Sequence, residues 1–225
     1  MVPPRNQGGE PRTMKVTLFG ATGAVGGECL KQCLEAGHAV TALVRTPAKL
    51  PPELRERIDV VEGDGLDPAC VAEALGEGTD AVLFAIGVDM KSGADLCTKV
   101  TRNILEAMRE KGVRRFVFCG GGSTIVAEDQ VTLGARIVEL LTRVFMGLRH
   151  RDKEHQLELL ESSKDIDWLG VRPLQMRRGP ARGEYRIGFH PYSGLSKISF
   201  ADCAHAMVGM LGDDTWLHKA PIVQY

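Results

Sequence analysis

Gly20, Gly23 and Gly26 punctuate the stretch Gly20-Ala21-Thr22-Gly23-Ala24-Val25-Gly26. It follows an apolar, β-prone run from Val16 to Phe19 and precedes a helix-spaced pattern through Leu30 and Leu34 to Gly37. Strand, glycine loop and helix in that order can hold a pyrophosphate. The first glycine permits the tight turn, the second lets backbone approach phosphate, and the third lets the helix pack close on its strand. The helix start adds free N–H groups and the positive end of its dipole. Arg45 and Thr46 end the next apolar run, His38–Val44, at a separation of 45 − 26 = 19 residues from Gly26. At about 20 residues an Asp or Glu ordinarily holds a ribose 2′-hydroxyl. An arginine stands here instead. Its planar fork can meet a 2′-phosphate bidentately, with the Thr46 hydroxyl beside it, so NADP(H) is expected over NAD(H).

The elements that would position these residues alternate. Ile58–Glu62 reads as a strand, followed by Gly63-Asp64-Gly65 and a helix capped by Asp67 and Pro68. Asp64 could bond an adenine amino group or simply cap its own turn. Asp80–Gly87 is almost wholly apolar, as a central parallel strand should be, and a helix from about Ala94 to Lys111 stops at Gly112. Arg115–Cys119 is a fifth strand that opens into Gly120-Gly121-Gly122-Ser123-Thr124, on the side where open α/β sheets bind ligands. Val131–Arg149 carries apolar residues at 137, 140, 141, 144, 145 and 148, one helix face that suits a core, a lid or a dimer surface. A separate helical stretch is expected over Asp152–Ser163, then a strand over Trp168–Pro173 and a short one over Tyr185–Gly188. Arg177, Arg178 and Arg182 make the intervening loop basic, for an acidic substrate or simply for solvent. Ser199-Phe-Ala-Asp202 resembles a capping box with aspartate in place of glutamate, and Ile222–Tyr225 is a last strand. The whole reads as α/β, a doubly wound parallel sheet of the NAD(P)-binding Rossmann type, over residues 14–225. Residues 1–13, polar and rich in Pro and Gly, read as a flexible tail.

Composition narrows the function. With 225 residues, 44% hydrophobic, 25% charged and a formal net charge of −1, the chain suits one buried core and argues against nucleic-acid binding by bulk charge. Six cysteines form no CxxC pair, and six histidines form no HxH or HExxH pattern, so neither a disulfide framework nor a metal site is expected. Cys29 and Cys33, four apart on the first helix, should pack as small apolar side chains. No apolar run reaches membrane-spanning length, and the expected location is cytoplasmic.

The order of Gly20–Gly26, Val-Arg45, Gly-Asp64, Ala-Ile-Gly87, the glycine loop after the fifth strand, Trp168…Arg-Pro173 and Gln224-Tyr225 resembles the atypical short-chain dehydrogenases. Within them it is similar to the NAD(P)H-binding group that includes the flavin and biliverdin-IX-beta reductases and the NmrA-like proteins. The resemblance covers residues 14–225. It implies that Gly20, Ala21, Thr22, Gly23, Ala24, Val25 and Gly26 wrap the pyrophosphate, and that Arg45 and Thr46 bind the 2′-phosphate. It places Asp64 and Gly65 near the adenine, and Ala85, Ile86, Gly87, Cys119, Gly120 and Gly121 beside the nicotinamide ribose. Arg172, Pro173, Leu174 and Gln175 would border the nicotinamide. Two positions depart from the flavin reductases. The serine early in the loop after the fifth strand is Gly121 here, with Ser123 as its candidate catalytic substitute. The pocket histidine falls on Asp152, with His155 nearby.

Most short-chain dehydrogenases pair a tyrosine with a lysine four residues on, which lowers the tyrosine pKa for proton transfer. The three tyrosines are 185, 192 and 225, and the residues four beyond Tyr185 and Tyr192 are Phe189 and Ser196. Carbonyl reduction by that route, and sugar epimerisation or dehydration, are therefore disfavoured. Hydride transfer to a flavin, quinone or similar flat conjugated acceptor asks mainly that two rings be held in register. The expected protein is an NADPH-dependent reductase, a monomer or homodimer. The competing reading is a non-catalytic NADP(H)-binding sensor of NmrA type.

Overall fold

The computed structural model describes residues 13–88, 92–192 and 195–225. The expected tail therefore lies, but for Thr13, outside the described residues. Parallel strands β1 (Lys15–Phe19), β2 (Ala39–Val44), β3 (Asp59–Glu62), β4 (Ala81–Phe84), β5 (Arg115–Cys119) and β6 (Asp167–Pro173) alternate with helices. These are α1 (Ala24–Glu35), the short α2 (Pro52–Arg55), α3 (Pro68–Ala74), α4 (Leu96–Lys111) and α5 (Leu133–Ser162). β7 (Gln175–Arg177), β8 (Arg186–Gly188), β9 (Lys197–Ser199), α6 (Phe200–Gly209) and β10 (Ile222–Gln224) complete the chain. The main sheet runs β3-β2-β1-β4-β5-β6-β10-β8, with only β8 antiparallel. β7 and β9 pair in parallel as a separate ladder.

The apolar strands are buried on both faces, as a covered parallel sheet requires. All four side chains of β4 are sealed. One face packs α1 and α6, with Cys29, Cys33 and Cys203 in its core. The other packs α3, α4 and the second half of α5 around Phe84, Phe116, Phe118 and Trp168, whose successive rings lie 6.1–6.2 Å apart. Strand order reverses between β1 and β4, which opens a crevice above their carboxyl ends. Register sets the level of that crevice. Phe19 lies opposite Leu43 and Phe84, and Phe84 lies opposite Phe118, so the loops after β1, β2, β4 and β5 emerge side by side.

The helical stretches expected separately at 131–149 and 152–163 are one helix of 30 residues, about 45 Å long. Nothing between Arg149 and Asp152 breaks it. Gly147 alone weakens its interior, by about 1 kcal/mol relative to alanine. Thr132 caps it by accepting from the Ala135 amide at 3.2 Å. The apolar stripe of its first half does not join the core: Leu140, Val144, Phe145 and Leu148 are 61–75% exposed.

The capping box before α6 is closed by Tyr225. Ser199 Oγ accepts from the Asp202 amide at 2.9 Å and donates to Asp202 Oδ2 at 3.0 Å. Aspartate, a methylene shorter than glutamate, leaves the Ser199 amide to the Tyr225 hydroxyl, which accepts it at 3.0 Å and donates to Asp202 Oδ2 at 2.6 Å. Burial acts to raise the Asp202 carboxyl, but bonds from Tyr225, the Arg182 and Gly183 amides and Ser199 outweigh it and hold it low. A carboxyl so depressed stabilises the fold above its unfolded pKa and loses that contribution as pH falls through the folded value. Tyr225→Phe should therefore cost about 1–3 kcal/mol in denaturant unfolding at neutral pH, and the deficit should shrink below about pH 4. A deficit constant into acid would detach Asp202 from it.

Candidate functional site

The glycine loop takes its shape from crowding. Gly20 has φ +90°, a left-handed conformation, and a Cβ there would stand 2.6 Å from the Ala85 carbonyl oxygen. A Cβ on Gly26 would lie 2.0 Å from the Gly20 carbonyl oxygen. The Gly23 amide donates to that same oxygen at 2.9 Å, which closes the turn. α1 then starts with Gly23 at its N-cap and no capping side chain, so its first-turn amides face the crevice without a side-chain acceptor. Such a close-walled turn ending in uncapped amides fits a pyrophosphate. The fit of the residues to NAD(P)H rests on this cradle.

At the neighbouring strand end, Arg45 and Thr46 are exposed, and Arg45 makes no ion pair among the described residues. Asp64 spends one oxygen on the Leu66 amide at 3.0 Å, so the turn-capping alternative is realised in its geometry. Gly65 lies against Val100 and accepts from Asn103 Nδ2 at 3.0 Å.

From the glycine loop the crevice widens into a cavity of about 500 Å³. Gly23, Ala24 and Val25 form one wall, and Ala85, Ile86, Gly87 and Val88 the next. Cys119, Gly120, Gly121, Gly122 and Ser123 follow from the end of β5, and Pro173, Leu174, Gln175 and Met176 from the end of β6. Gly20, Ala21, Thr22, Gly26, Arg45, Thr46, Asp64 and Gly65 lie outside this chamber, on the loop and strand ends leading to it. A smaller cleft of about 300 Å³, between residues 76–79, Lys111 and Val113, lies at the opposite, amino end of β4 and β5.

One sequence assignment changes, and neither residue near the position of the relatives' pocket histidine reaches the cavity. Arg172 does not line the cavity. Its guanidinium is sealed against the Asp129 carboxylate, at 2.6 and 2.9 Å, and donates to the Thr124 and Ala220 carbonyls. Asp152 is buried and accepts from the Cys97 and Thr98 amides at 2.8 and 2.9 Å, which fixes the start of α4. His155 is exposed. The histidine that reaches the cavity is His150, a residue that sequence reasoning missed.

α5 supplies a wall that the sequence reading lacked: Val138, Thr142, Arg149, His150 and Lys153. The spacing 138, 142, 149, 153 is one helical face, legible only once the helix is continuous. Lys153 Nζ donates to the Cys119 carbonyl at 3.1 Å and to Gln156 at 3.2 Å, and lies 5.5 Å from the Phe84 ring centre. The residue four before Lys153 is Arg149, and none of the lining residues is a tyrosine. A hydrogen bond from the Cys203 thiol pulls Cys119 below the usual thiol range against the effect of burial, with the Lys153 ammonium helping.

Ser123 Oγ lies 3.2 Å from His150 Nδ1. The imidazole is almost fully buried. Its Nε2 lies 3.2 Å from Glu154 Oε1 but at an angle that makes no proper hydrogen bond, and it has no other partner. Glu154, a quarter exposed, is held by Arg143 at 3.0 Å. Among the described residues no three metal-binding side chains cluster, and no helix is long and apolar enough to cross a membrane.

Comparison with known proteins places this geometry. An uncharacterized chloroplastic protein of Arabidopsis thaliana is 30% identical over 76% of this chain, which spans 62% of that relative's length. A short-chain dehydrogenase/reductase of Veillonella parvula, solved with NADP, superposes with a TM-score of 0.77 at 16% identity, over 95% of each chain. A Streptococcus pneumoniae protein described as a candidate NADH-flavin reductase superposes at 0.74 with 21% identity, over 94% of this chain and 99% of its own. At these identities the two solved structures share the fold. The model of the NAD(P)H-binding family matches residues 20–214, across the glycine loop, the crevice and the walls just described. The chain is a member of the NAD(P)H-binding family, a Rossmann-type protein whose cofactor is NAD(P)H.

Proposed function

We propose that the protein is an NADPH-dependent reductase that passes a hydride to a flavin, a quinone or a similar flat conjugated acceptor. The observation that carries this reading is the cavity of about 500 Å³ continuous with the glycine loop, with Gly120–Gly122 on one side and apolar Ile86, Val88, Leu174 and Met176 on others. Glycines without side chains leave room for a flat ring, and the apolar walls exclude water from it. NADPH, when bound, supplies the hydride. The chain's part is to cradle the pyrophosphate on residues 20–26, to meet the 2′-phosphate with Arg45 and Thr46, and to seat the nicotinamide between residues 85–87, 119–121 and 173–175. Ser123 faces the same space as the candidate catalytic hydroxyl.

The test is nicotinamide absorbance with FMN, riboflavin, a quinone and biliverdin as acceptors, with direct binding of NADPH and NADH to the same samples. Turnover faster with NADPH is the expected result. Arg45→Ala should then weaken NADPH binding about 10- to 100-fold, the loss of a charge-assisted phosphate contact, and leave NADH unchanged. Equal losses for both cofactors would remove Arg45 as the selector. Tight NADPH binding with no oxidation by any acceptor would instead assign an NmrA-type NADP(H) sensor, the reading that a tyrosine-free lining favours.

A further inference from the structure

We propose that Ser123, His150 and Glu154 form a proton relay into the cavity, and that the acceptor is therefore a conjugated carbonyl compound, a quinone or an enone. The inference rests on the reductase reading and narrows its substrate class. The three groups lie in a row at the cavity: a carboxylate a quarter exposed, a sealed imidazole, and a hydroxyl on the cavity wall. Each step spans 3.2 Å, from Glu154 Oε1 to His150 Nε2 and from His150 Nδ1 to Ser123 Oγ. An imidazole whose Nε2 lies beside a carboxylate and whose Nδ1 meets a cavity hydroxyl suits a proton donor held next to its counter-charge.

An acceptor carbonyl that receives a hydride, two electrons from a reduced nicotinamide, is left with a full negative charge on oxygen. The Ser123 O–H bond breaks as an O–H bond forms on that oxygen. The Nδ1–H of a doubly protonated His150 passes to the seryl oxygen, and the ring is left neutral with its remaining proton on Nε2, beside Glu154. Once product leaves, a solvent proton entering the cavity reaches Nδ1 through the Ser123 hydroxyl and restores the ring, with Glu154 as its counter-charge, and no residue changes oxidation state. A reduced flavin spreads its charge over the ring system and draws little benefit from such a donor. The other charges around the imidazole are Arg143 outside Glu154, Arg149 and Lys153 on the cavity wall, and the Asp129–Arg172 pair behind the Ser123 loop. The cations oppose a second positive charge on the ring, and Glu154 is what offsets them.

The relay is tested in the nucleotide-free protein by ring ¹⁵N NMR of labelled histidine. The Nδ1 signal of His150 should report its hydrogen bond with Ser123 Oγ and should move in Ser123→Ala. An Nδ1 signal unmoved by Ser123→Ala overturns the relay. In turnover with a quinone, Ser123→Ala and His150→Asn should each lower kcat about 100-fold with KM little changed, and together no further. FMN turnover should change much less, and Ser123→Thr should restore part of the quinone rate. Unchanged quinone kcat in Ser123→Ala also overturns the proposal. Failure of wild type to oxidise NADPH with any acceptor would instead remove the reductase reading, which the NMR result does not touch.

Discussion

Replacing Asp129 by alanine should cost about 3–5 kcal/mol of stability, the usual effect of stranding one member of a buried ion pair. At about 2–4 °C per kcal/mol for a chain of this size, Tm should fall by roughly 6–20 °C. The size of the effect follows from where the pair sits. Arg172 and Asp129 side chains are 1% and 0% exposed, joined by two hydrogen bonds. The same guanidinium donates to the Thr124 and Ala220 carbonyls, so it ties the loop after β5 to β6 and to the segment before β10. Removing the carboxylate leaves a guanidinium without its counter-charge in a place water reaches poorly. The loop it anchors is the one that carries Ser123, so nucleotide-free protein should also show faster amide exchange over residues 120–129. An Asp129→Ala protein that melts with wild type would show that the pair is not sealed.

Gly26→Val should abolish nucleotide binding, with a loss of affinity on the order of 100-fold or more, since a displacement of about 1 Å at a binding loop has costs of that order. Even the first carbon of a side chain there would stand 2.0 Å from the Gly20 carbonyl oxygen, backbone against backbone with no flexible group to yield. Either α1 moves off its strand or the loop opens. Both scatter the amides that face the crevice. Calorimetric titration with NADPH reads the loss directly, and circular dichroism confirms that the helices remain. Because Gly26 lies outside the chamber where the acceptor would sit, the defect should appear equally with NADPH and NADH, unlike that of Arg45→Ala. Retained affinity in Gly26→Val would mean that the loop is not the pyrophosphate seat.

Much of this was legible from local pattern. Glycines at 20, 23 and 26 after a β-prone run specify a turn in which Gly26 crowds Gly20 six residues before it, so the loop could be read locally, while the crowding of Gly20 against Ala85 came from the fold. The doubly wound sheet followed from alternating apolar runs and helical spacing, and the buried Cys29 and Cys33 followed from their position on the first helix. Short strands escaped. β7 and β9 have three residues each and little periodicity, and they exist because they pair with one another. β8 falls within the short strand expected over Tyr185–Gly188, and only its antiparallel direction came from its pairing with β10.

Side-chain destinations were decided by the fold. Arg172 and Gln175 are three residues apart, yet one is locked onto a carboxylate 43 residues earlier in the chain while the other lines the cavity. His150 and His155 are five apart on one helix, and 3.6 residues per turn sends the first inward and the second to solvent. The Ser123–His150–Glu154 path needs a loop after β5 and a helix 27 residues on to meet at 3.2 Å, a coincidence that no spacing rule encodes. The sequence alone determined what repeats locally: the strand-loop-helix cradle, the arginine at its expected distance, and the order of the elements. Only the tertiary structure decided which polar side chains face one another, because those encounters depend on long-range packing and not on the residues beside them.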